Sequence, residues 1–396
     1  MTSKPIYLDS HATTPLDPRV LDAMMPFLTD EFGNASSDTH GYGHTAAEAV
    51  EAAREVVAAS VGAKPAEVVF TSGATEANNL AIKGTALALR SKGDHIVTCA
   101  TEHPAVLDPV AGLEKQGFRT TVLPVAPDGT LDAETVAAAI DERTTVVSLM
   151  HANNEIGVIH DIEAIAGICA ERGVIFHTDA TQTAGKFPID MSTARIRLLS
   201  LSSHKFYGPK GVGALVVRRG KPRARPVAQM EGGGHERGYR SGTLNVPGIV
   251  GMAKALEIAA AERDEENARL GKLRDQLRGK LFAELDQLEE NGAVENKLPH
   301  NLNVCFRYVD SAALLNEVPG LAVSTGSACS SADPEPSHVI LALGKDEEHA
   351  KSSIRFGLHR FTSEDDIARA VELMIPAVKR LRAMSPMYEE MRKSRK

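Results

Sequence analysis

Between about residues 45 and 260 the chain alternates short apolar runs with amphipathic stretches, and no other feature restricts the fold as strongly. The runs read "EVVF", "HIVTCA", "TTVVSLMHA", "VIFHTDA", "IRLLSLS" and "GALVV". Segments rich in Val and Ile, spaced by helical patterns, predict βαβ units and an α/β fold: a mostly parallel sheet sandwiched by helices. The helical period is explicit in "DIEAIAGICAERG", where Ile162, Ile165, Ala166 and Cys169 fall at i, i+3, i+4 and i+7, so Cys169 is expected in the core. Sheets of this kind bind ligands at the carboxyl ends of their strands, and the residues just after each run become the first candidates for chemistry.

A chain of 396 residues exceeds what one core comfortably fills, so a large domain and a smaller one are expected. After Gly248 the pattern becomes a long helical region, about 250 to 290, read as broken near "RDEEN" and leading to the second domain. Strand-like "NLNVCFRY" and "SSIRFGLHRF" follow, then a helix announced by Thr362 with Asp365 as a capping pattern. A net charge of −8 argues against nucleic acid as a partner. The basic stretch "RRGKPRARP", Arg218 to Pro226, reads as a solvated turn, with docking of an acidic partner as the alternative. The N-terminus lacks a signal-peptide pattern and no apolar run approaches the roughly 18 residues that span a bilayer, so a cytoplasmic protein without a membrane contact is expected. Cys99, Cys169, Cys305 and Cys329 contain no C-x-x-C pair, which suggests neither a disulfide framework nor a zinc knuckle. "HGYGH", His40 to His44, has metal-like spacing, but its glycines disfavour the helix that would align the histidines, and no metal is expected.

Two residues at predicted strand ends gain meaning together. Asp179 closes "VIFHTDA", and Lys205 follows the run before "SSHKFYGPKG". Each alone reads as a turn acid or a solvated charge. As a pair they are what pyridoxal phosphate requires: an amine for a Schiff base and a carboxylate for a protonated ring nitrogen. "EVVFTSGATEANN" adds an anion site, since Ser72, Gly73 and Thr75 join a strand to a helix start. Cys329 stands apart from Cys99 and Cys305: they lie in apolar runs, whereas it sits in the polar stretch "STGSACSSADPEP".

The motifs "LDSHATTPLDPRV", "VFTSGATEANNLAIKG", "TEHPAVLD", "NNEIGV", "HTDATQTAGK", "SSHKFYGPKGVGAL", "GGGHERGYRSGT", "TGSACSS" and "SSIRFGLHRFT" occur in this order over nearly the whole chain. In this the chain resembles the cysteine desulfurases of the NifS and IscS type, in the class V branch of the fold-type I pyridoxal phosphate enzymes. The resemblance implies a large cofactor domain at 15–258 and a smaller α+β domain at 259–396 with a mobile cysteine loop at about 322–336. Residues 1–14 would pack near the active site. It implies that Lys205 carries the cofactor as a Schiff base and shuttles the substrate Cα proton, Asp179 pairs with the ring nitrogen, Gln182 bonds the phenolic oxygen, and His103 stacks on the ring. Gly73, Ala74, Thr75, Ser202 and His204 would hold the phosphate, completed by Thr243 of a second subunit. Asn154 and Arg355 would orient the carboxylate of L-cysteine, and Cys329 would take its sulfur as a persulfide for acceptor proteins serving iron-sulfur assembly, other sulfur-containing cofactors or tRNA thiolation. A homodimer is implied as well.

Three positions depart from the family pattern, Ser203, Pro104 and His11, and none removes a required group. The end, "EEMRKSRK", is shorter than in relatives whose tail docks an iron-sulfur scaffold, so docking by that tail is not expected. A class V aminotransferase would have no need of Cys329, and a relict binding protein would have lost pocket groups. A selenocysteine lyase would keep them all.

Overall fold

Every apolar run of the first two-thirds of the sequence forms a strand, and one further strand joins them. The computed structural model describes residues 4–325 and 335–394. A short strand, Ile6–Tyr7 (β1), precedes helices Pro18–Thr29 (α1) and Gly41–Ser60 (α2). The sheet is then built from Val68–Thr71 (β2), His95–Cys99 (β3), Arg119–Leu123 (β4), Thr144–Ser148 (β5), Ile175–Asp179 (β6), Leu198–Ser202 (β7) and Gly213–Val217 (β8). Helices Ala74–Leu89 (α3), Pro104–Glu114 (α4), Ala133–Ala139 (α5) and Ile162–Glu171 (α6) make the crossovers. The seven strands lie in the order β2-β8-β7-β6-β5-β3-β4. Pairing is parallel from β4 to β7, while β8 runs antiparallel to both β7 and β2.

Successive strand residues face opposite layers. Phe176, Leu199, Val147 and Ala214 pack with α2, α6 and the following long helix, while Ile175, Leu198, Val146 and Leu215 face α3 and α4. All eight are fully or almost fully buried, and each large aliphatic or aromatic side chain so placed contributes roughly 1.5–3 kcal/mol. Cys169 lies in this core with Ile162, Ile165 and Ala166, as the helical spacing requires.

The long helix, Val246–Glu284 (α7), passes without a break through "RDEEN", contrary to the sequence reading. Glu266 within that stretch meets Arg360, and Glu262 just before it meets Arg19, so charge at this point fastens the helix to other parts of the chain. The first half of α7 packs in the sheet core, and Leu270, Leu273, Leu277 and Leu281 enter a second one. That second core holds the antiparallel strands Leu288–Glu290 (β9), Asn301–Phe306 (β10) and Ser353–Gly357 (β12), while Leu321–Ala322 (β11) pairs in parallel with β1. Helices Ser311–Glu317 (α8) and Glu364–Ala383 (α11) complete it, while His338–Ala342 (α9) and Glu347–Lys351 (α10) bury Val339, Ile340 and Ala350 in a separate small cluster with Ile156 and Val158. The cap of α11 is Ser363 with Asp366, not Thr362 with Asp365; the Thr362 hydroxyl is occupied by the His359 N–H. The glycines of "HGYGH" do not prevent a helix either: His40 is the N-cap of α2, accepting from the Gly43 N–H, and His44 reaches back to the Asp38 carbonyl.

Two buried polar contacts fix how strand ends are presented. His177 on β6 lies between Ser148 of β5 and Ser200 of β7, at 2.8 and 2.9 Å. Arg54 of α2 forms a bidentate pair with Glu236, both arms at 2.8 Å, and Glu236 also accepts from the Phe70 N–H. Burial lowers His177 to about 4. Below the ordinary histidine value of about 6.5 the unfolded chain binds this proton and the folded chain does not, so stability rises with pH between 4 and 6.5. Replacing His177 with Asn is expected to reduce the slope of unfolding free energy against pH in this window by about 1.4 kcal/mol per pH unit, as measured by urea unfolding; an unchanged slope contradicts it. Replacing Glu236 with Ala removes the buried, bidentate partner of Arg54 and leaves its guanidinium only the exposed Glu51 carboxylate and the Val68 carbonyl; this is expected to cost about 3–5 kcal/mol. A loss below about 1 kcal/mol in the same assay would show the pair to be dispensable.

Candidate active site

The carboxyl ends of β2, β6 and β7 converge on a cavity of about 420 Å³, within the size range of small-molecule sites. Its walls include Gly73, Ala74, Thr75, His103, Asn154, Asp179, Gln182, Ser202, His204, Lys205 and Arg355. Eleven residues chosen from sequence therefore share one space. Thr243 does not: it lies exposed, away from the cavity of its own chain. Cys329 lies outside the described residues.

Asp179 ends β6 and is 6% exposed. Asn78 Nδ2 donates to its Oδ2 at 2.7 Å and the Thr181 N–H to its Oδ1 at 2.9 Å. Among the described residues no cationic side chain forms an ion pair with it, an expensive arrangement for a buried carboxylate and one suited to a cationic ring N–H. Asn78 was not assigned from sequence, although "TSGATEANN" contains it; one helical turn beyond Ala74, a fully buried Asn is the available signal.

Lys205 closes the 3-10 turn Ser203–Lys205 directly after β7. Its Nζ donates to the carbonyls of His11 at 2.5 Å and Ala12 at 2.8 Å. The N-terminal segment thus reaches the lysine, and "LDSHATTP" supplies site residues that spacing along the chain could not reveal. His204 stands 3.0 Å from the Thr13 hydroxyl, and burial, reinforced by Lys205 and Lys210, lowers it to about 4.

At the other wall α3 begins at Gly73, whose φ of +152° and ψ of −178° belong to a backbone region open essentially to glycine alone. No side chain caps this helix, so its first-turn N–H groups stand at the cavity beside Thr75, Ser202 and His204. His103 is the N-cap of α4, its Nδ1 accepting from the Ala105 N–H at 3.0 Å, and it also lines the cavity. One side of the ring thus serves the helix cap while the residue still lines the cavity. The cap places the neutral ring's proton on Nε2, and burial holds His103 below the ordinary imidazole value.

Arg355 on β12 is 4% exposed, donates to Asp9 at 2.8 Å and to the Asn154 carbonyl at 3.0 Å, and leaves its buried Nε without a partner among the described residues. The acid paired with it is Asp9 of the N-terminal segment. By contrast Cys99, Cys169 and Cys305 are buried thiols, each pushed up to about 12 by desolvation.

Comparison with known proteins agrees with this geometry. The model of the class-V aminotransferases matches residues 6–370. A protein named cysteine desulfurase IscS from Anaeromyxobacter dehalogenans (strain 2CP-C) is 57% identical over 97% of this chain and 95% of its own. The one from Methylococcus capsulatus is 53% identical over the same shares. Among solved structures, a NifS-like protein superposes with a TM-score of 0.88 at 35% identity over 95% of this chain and 99% of its own. The protein SspA in complex with cysteine superposes at 0.78 and 36% over 90% and 99%. With more than half its residues shared along 97% of its length, the chain belongs to the class-V aminotransferase family, among the cysteine desulfurases of the IscS type.

Proposed function

We propose that the chain is a pyridoxal 5'-phosphate-dependent cysteine desulfurase: it converts L-cysteine to L-alanine, takes the sulfur on Cys329 as a persulfide, and passes it to acceptor proteins. Those acceptors serve iron-sulfur cluster assembly, other sulfur-containing cofactors or tRNA thiolation. The observation that carries this reading is the shared cavity, where Lys205 and a buried carboxylate without a cationic partner face an uncapped helix start.

When bound, the cofactor supplies an electron sink that weakens the Cα–H and C–S bonds of an amino acid joined to it through nitrogen. The residues around it do the rest. Asp179, held from two sides, keeps a proton on the ring nitrogen. The first turn of α3, with Thr75, Ser202 and His204, receives the phosphate, and Thr243 from a second copy closes that cradle. Arg355 and Asn154 orient the substrate carboxylate through a guanidinium fork and an amide. Lys205 would hold the cofactor through Nζ, and the same amine would move the substrate Cα proton. His103 presents Nε2–H to the cavity as a proton donor. Cys329 as thiolate attacks the substrate sulfur; the new S–S bond forms as the C–S bond breaks with its electron pair going to carbon, and protonation of that carbon leads to alanine.

A homodimer fits the exposed apolar residues Leu21, Met25, Leu28 and Phe32 on and after α1, with Val227 and Met230 ahead of the Thr243 segment. Residues 15–258 and 259–396 are read as its two domains. The reading places the protein in the cytoplasm, where a persulfide-forming thiol stays reduced; among the described residues no helix is long and apolar enough to cross a membrane.

Purified protein given L-cysteine and a reductant is expected to release sulfide and alanine in equal amounts; keto-acid products in their place would sink the reading. Cys329→Ser is expected to abolish sulfur transfer while the bound cofactor's visible band still responds to L-cysteine. Lys205→Ala is expected to lose the band of lysine-bound cofactor, and its persistence would remove Lys205 from that role.

A further inference from the structure

Behind the cavity a line of hydrogen bonds runs from a main-chain carbonyl to Gln182, and its direction is fixed at both ends. The Asn301 side chain lies 3.0 Å from the Glu155 carbonyl oxygen, which can only accept, so the amide nitrogen of Asn301 must face it. The same Nδ2 lies 3.1 Å from His11 Nε2. Having received a donor there, Nε2 carries the lone pair and Nδ1 carries the proton. His11 Nδ1 is 3.1 Å from Gln182 Oε1, and Gln182 Nε2 donates to the His11 carbonyl at 3.1 Å. Gln182 Oε1 is therefore turned inward, and the amide's remaining N–H is left for the cavity that Gln182 lines.

The surroundings keep the His11 ring neutral and in place. It is 1% exposed and stacks on His300 with ring centroids 4.7 Å apart; His300 Nε2 in turn lies 3.0 Å from the buried Lys186 Nζ. The ionisable groups that act on it are Arg355, Lys186 and Lys205, none of them acidic, with burial lowering Lys186 to about 7. A proton on Nε2 would face the Asn301 amide donor and reverse the line.

We propose that His11 is a positioning residue that fixes the Gln182 amide so that it presents an N–H, and not its oxygen, to the cofactor's phenolic oxygen. This rests on the cofactor reading given above. The chemical effect is to favour the anionic form of that oxygen, because a hydrogen bond to a charged acceptor is stronger than one to a neutral acceptor.

The test uses full-length holoenzyme. In 15N-histidine-labelled protein the His11 signals, assigned by their loss in His11→Leu, are expected to show protonated Nδ1 and unprotonated Nε2 from pH 5.5 to 8.5. The reverse tautomer, or a charged ring in this range, overturns the proposal without reference to activity. In the second arm the bound cofactor's visible band is titrated with pH in His11→Leu, His11→Asn and Gln182→Ala. Loss of the donor makes the oxygen hold its proton to higher pH, so the midpoint is expected to rise by about one unit in His11→Leu and Gln182→Ala. His11→Asn, whose Nδ2 can stand in for Nδ1–H, is expected to restore it. A shift in Gln182→Ala with none in His11→Leu overturns the positioning role. If Gln182→Ala shifts nothing, the cofactor contact of Gln182 falls, and the tautomer measurement alone decides whether His11 orients the amide. Circular dichroism of each variant separates these results from misfolding.

Discussion

The structure depends on the close approach of residues 8–14 to both cores at once. On one side the Gly357 N–H donates to the Leu8 carbonyl, the Ser10 N–H returns to Gly357, and Ser10 Oγ donates to Leu358 O. There is no room for a side chain at this crossing: a Cβ on Gly357 would sit 2.7 Å from His11 Cδ2 and 2.9 Å from Ser10 N. On the other side Thr14 bonds the His204 carbonyl and the Tyr207 N–H, and Asp17 N bonds Tyr207 O. Lys205 sits between these contacts with Nζ on the His11 and Ala12 carbonyls. A segment far from the sheet in sequence thus sets where the reactive amine stands.

That dependence explains which parts of the site sequence could and could not show. Strand ends are local facts: Asp179, Ser202 and Lys205 follow apolar runs, and Gly73 follows one directly, so their place at the ligand edge was legible. Contacts made across the fold leave no periodic trace. Asp9 against Arg355, Asn78 against Asp179 and His11 against Gln182 are each separated by 100 residues or more. The resemblance to a family supplied roles for the cavity groups but said nothing of these supports.

Two of the differences in the fold, β4 and the unbroken α7, have a common cause. The sequence reading treated polarity as interruption. β4 was passed over because Arg119, Thr120 and Thr121 are polar, yet an edge strand keeps one side in water and tolerates them. "RDEEN" reads as a break because four of its five residues are charged, whereas Glu266 within it and Glu262 just before it are held by Arg360 and Arg19 from outside α7. Arg360 also lies 4.2 Å from the Tyr207 ring centroid and pairs with Asp17, whose carboxyl is held far below its ordinary range chiefly by Arg19 and also by Arg360. Apart from Asp17 with Arg19, these partially buried charges are fixed by partners from distant sequence, and no short window along the chain contains both members of such a pair.

Contacts across the fold also hold the described residues on either side of the segment that contains Cys329. Ser324, close before the segment that holds Cys329, exchanges main-chain hydrogen bonds with Arg355, at 2.7 and 3.3 Å. Ser337, close after it, caps α9 and donates to Glu155 Oε2 at 2.5 Å, and His338 Nε2 meets the Glu102 carbonyl at 2.9 Å. Arg355 lines the cavity, and Glu155 and Glu102 are the chain neighbours of Asn154 and His103, which line it too. The described residues on both sides of that segment are thus held by the cavity wall or by residues next to it in sequence, through contacts that no window along the chain contains.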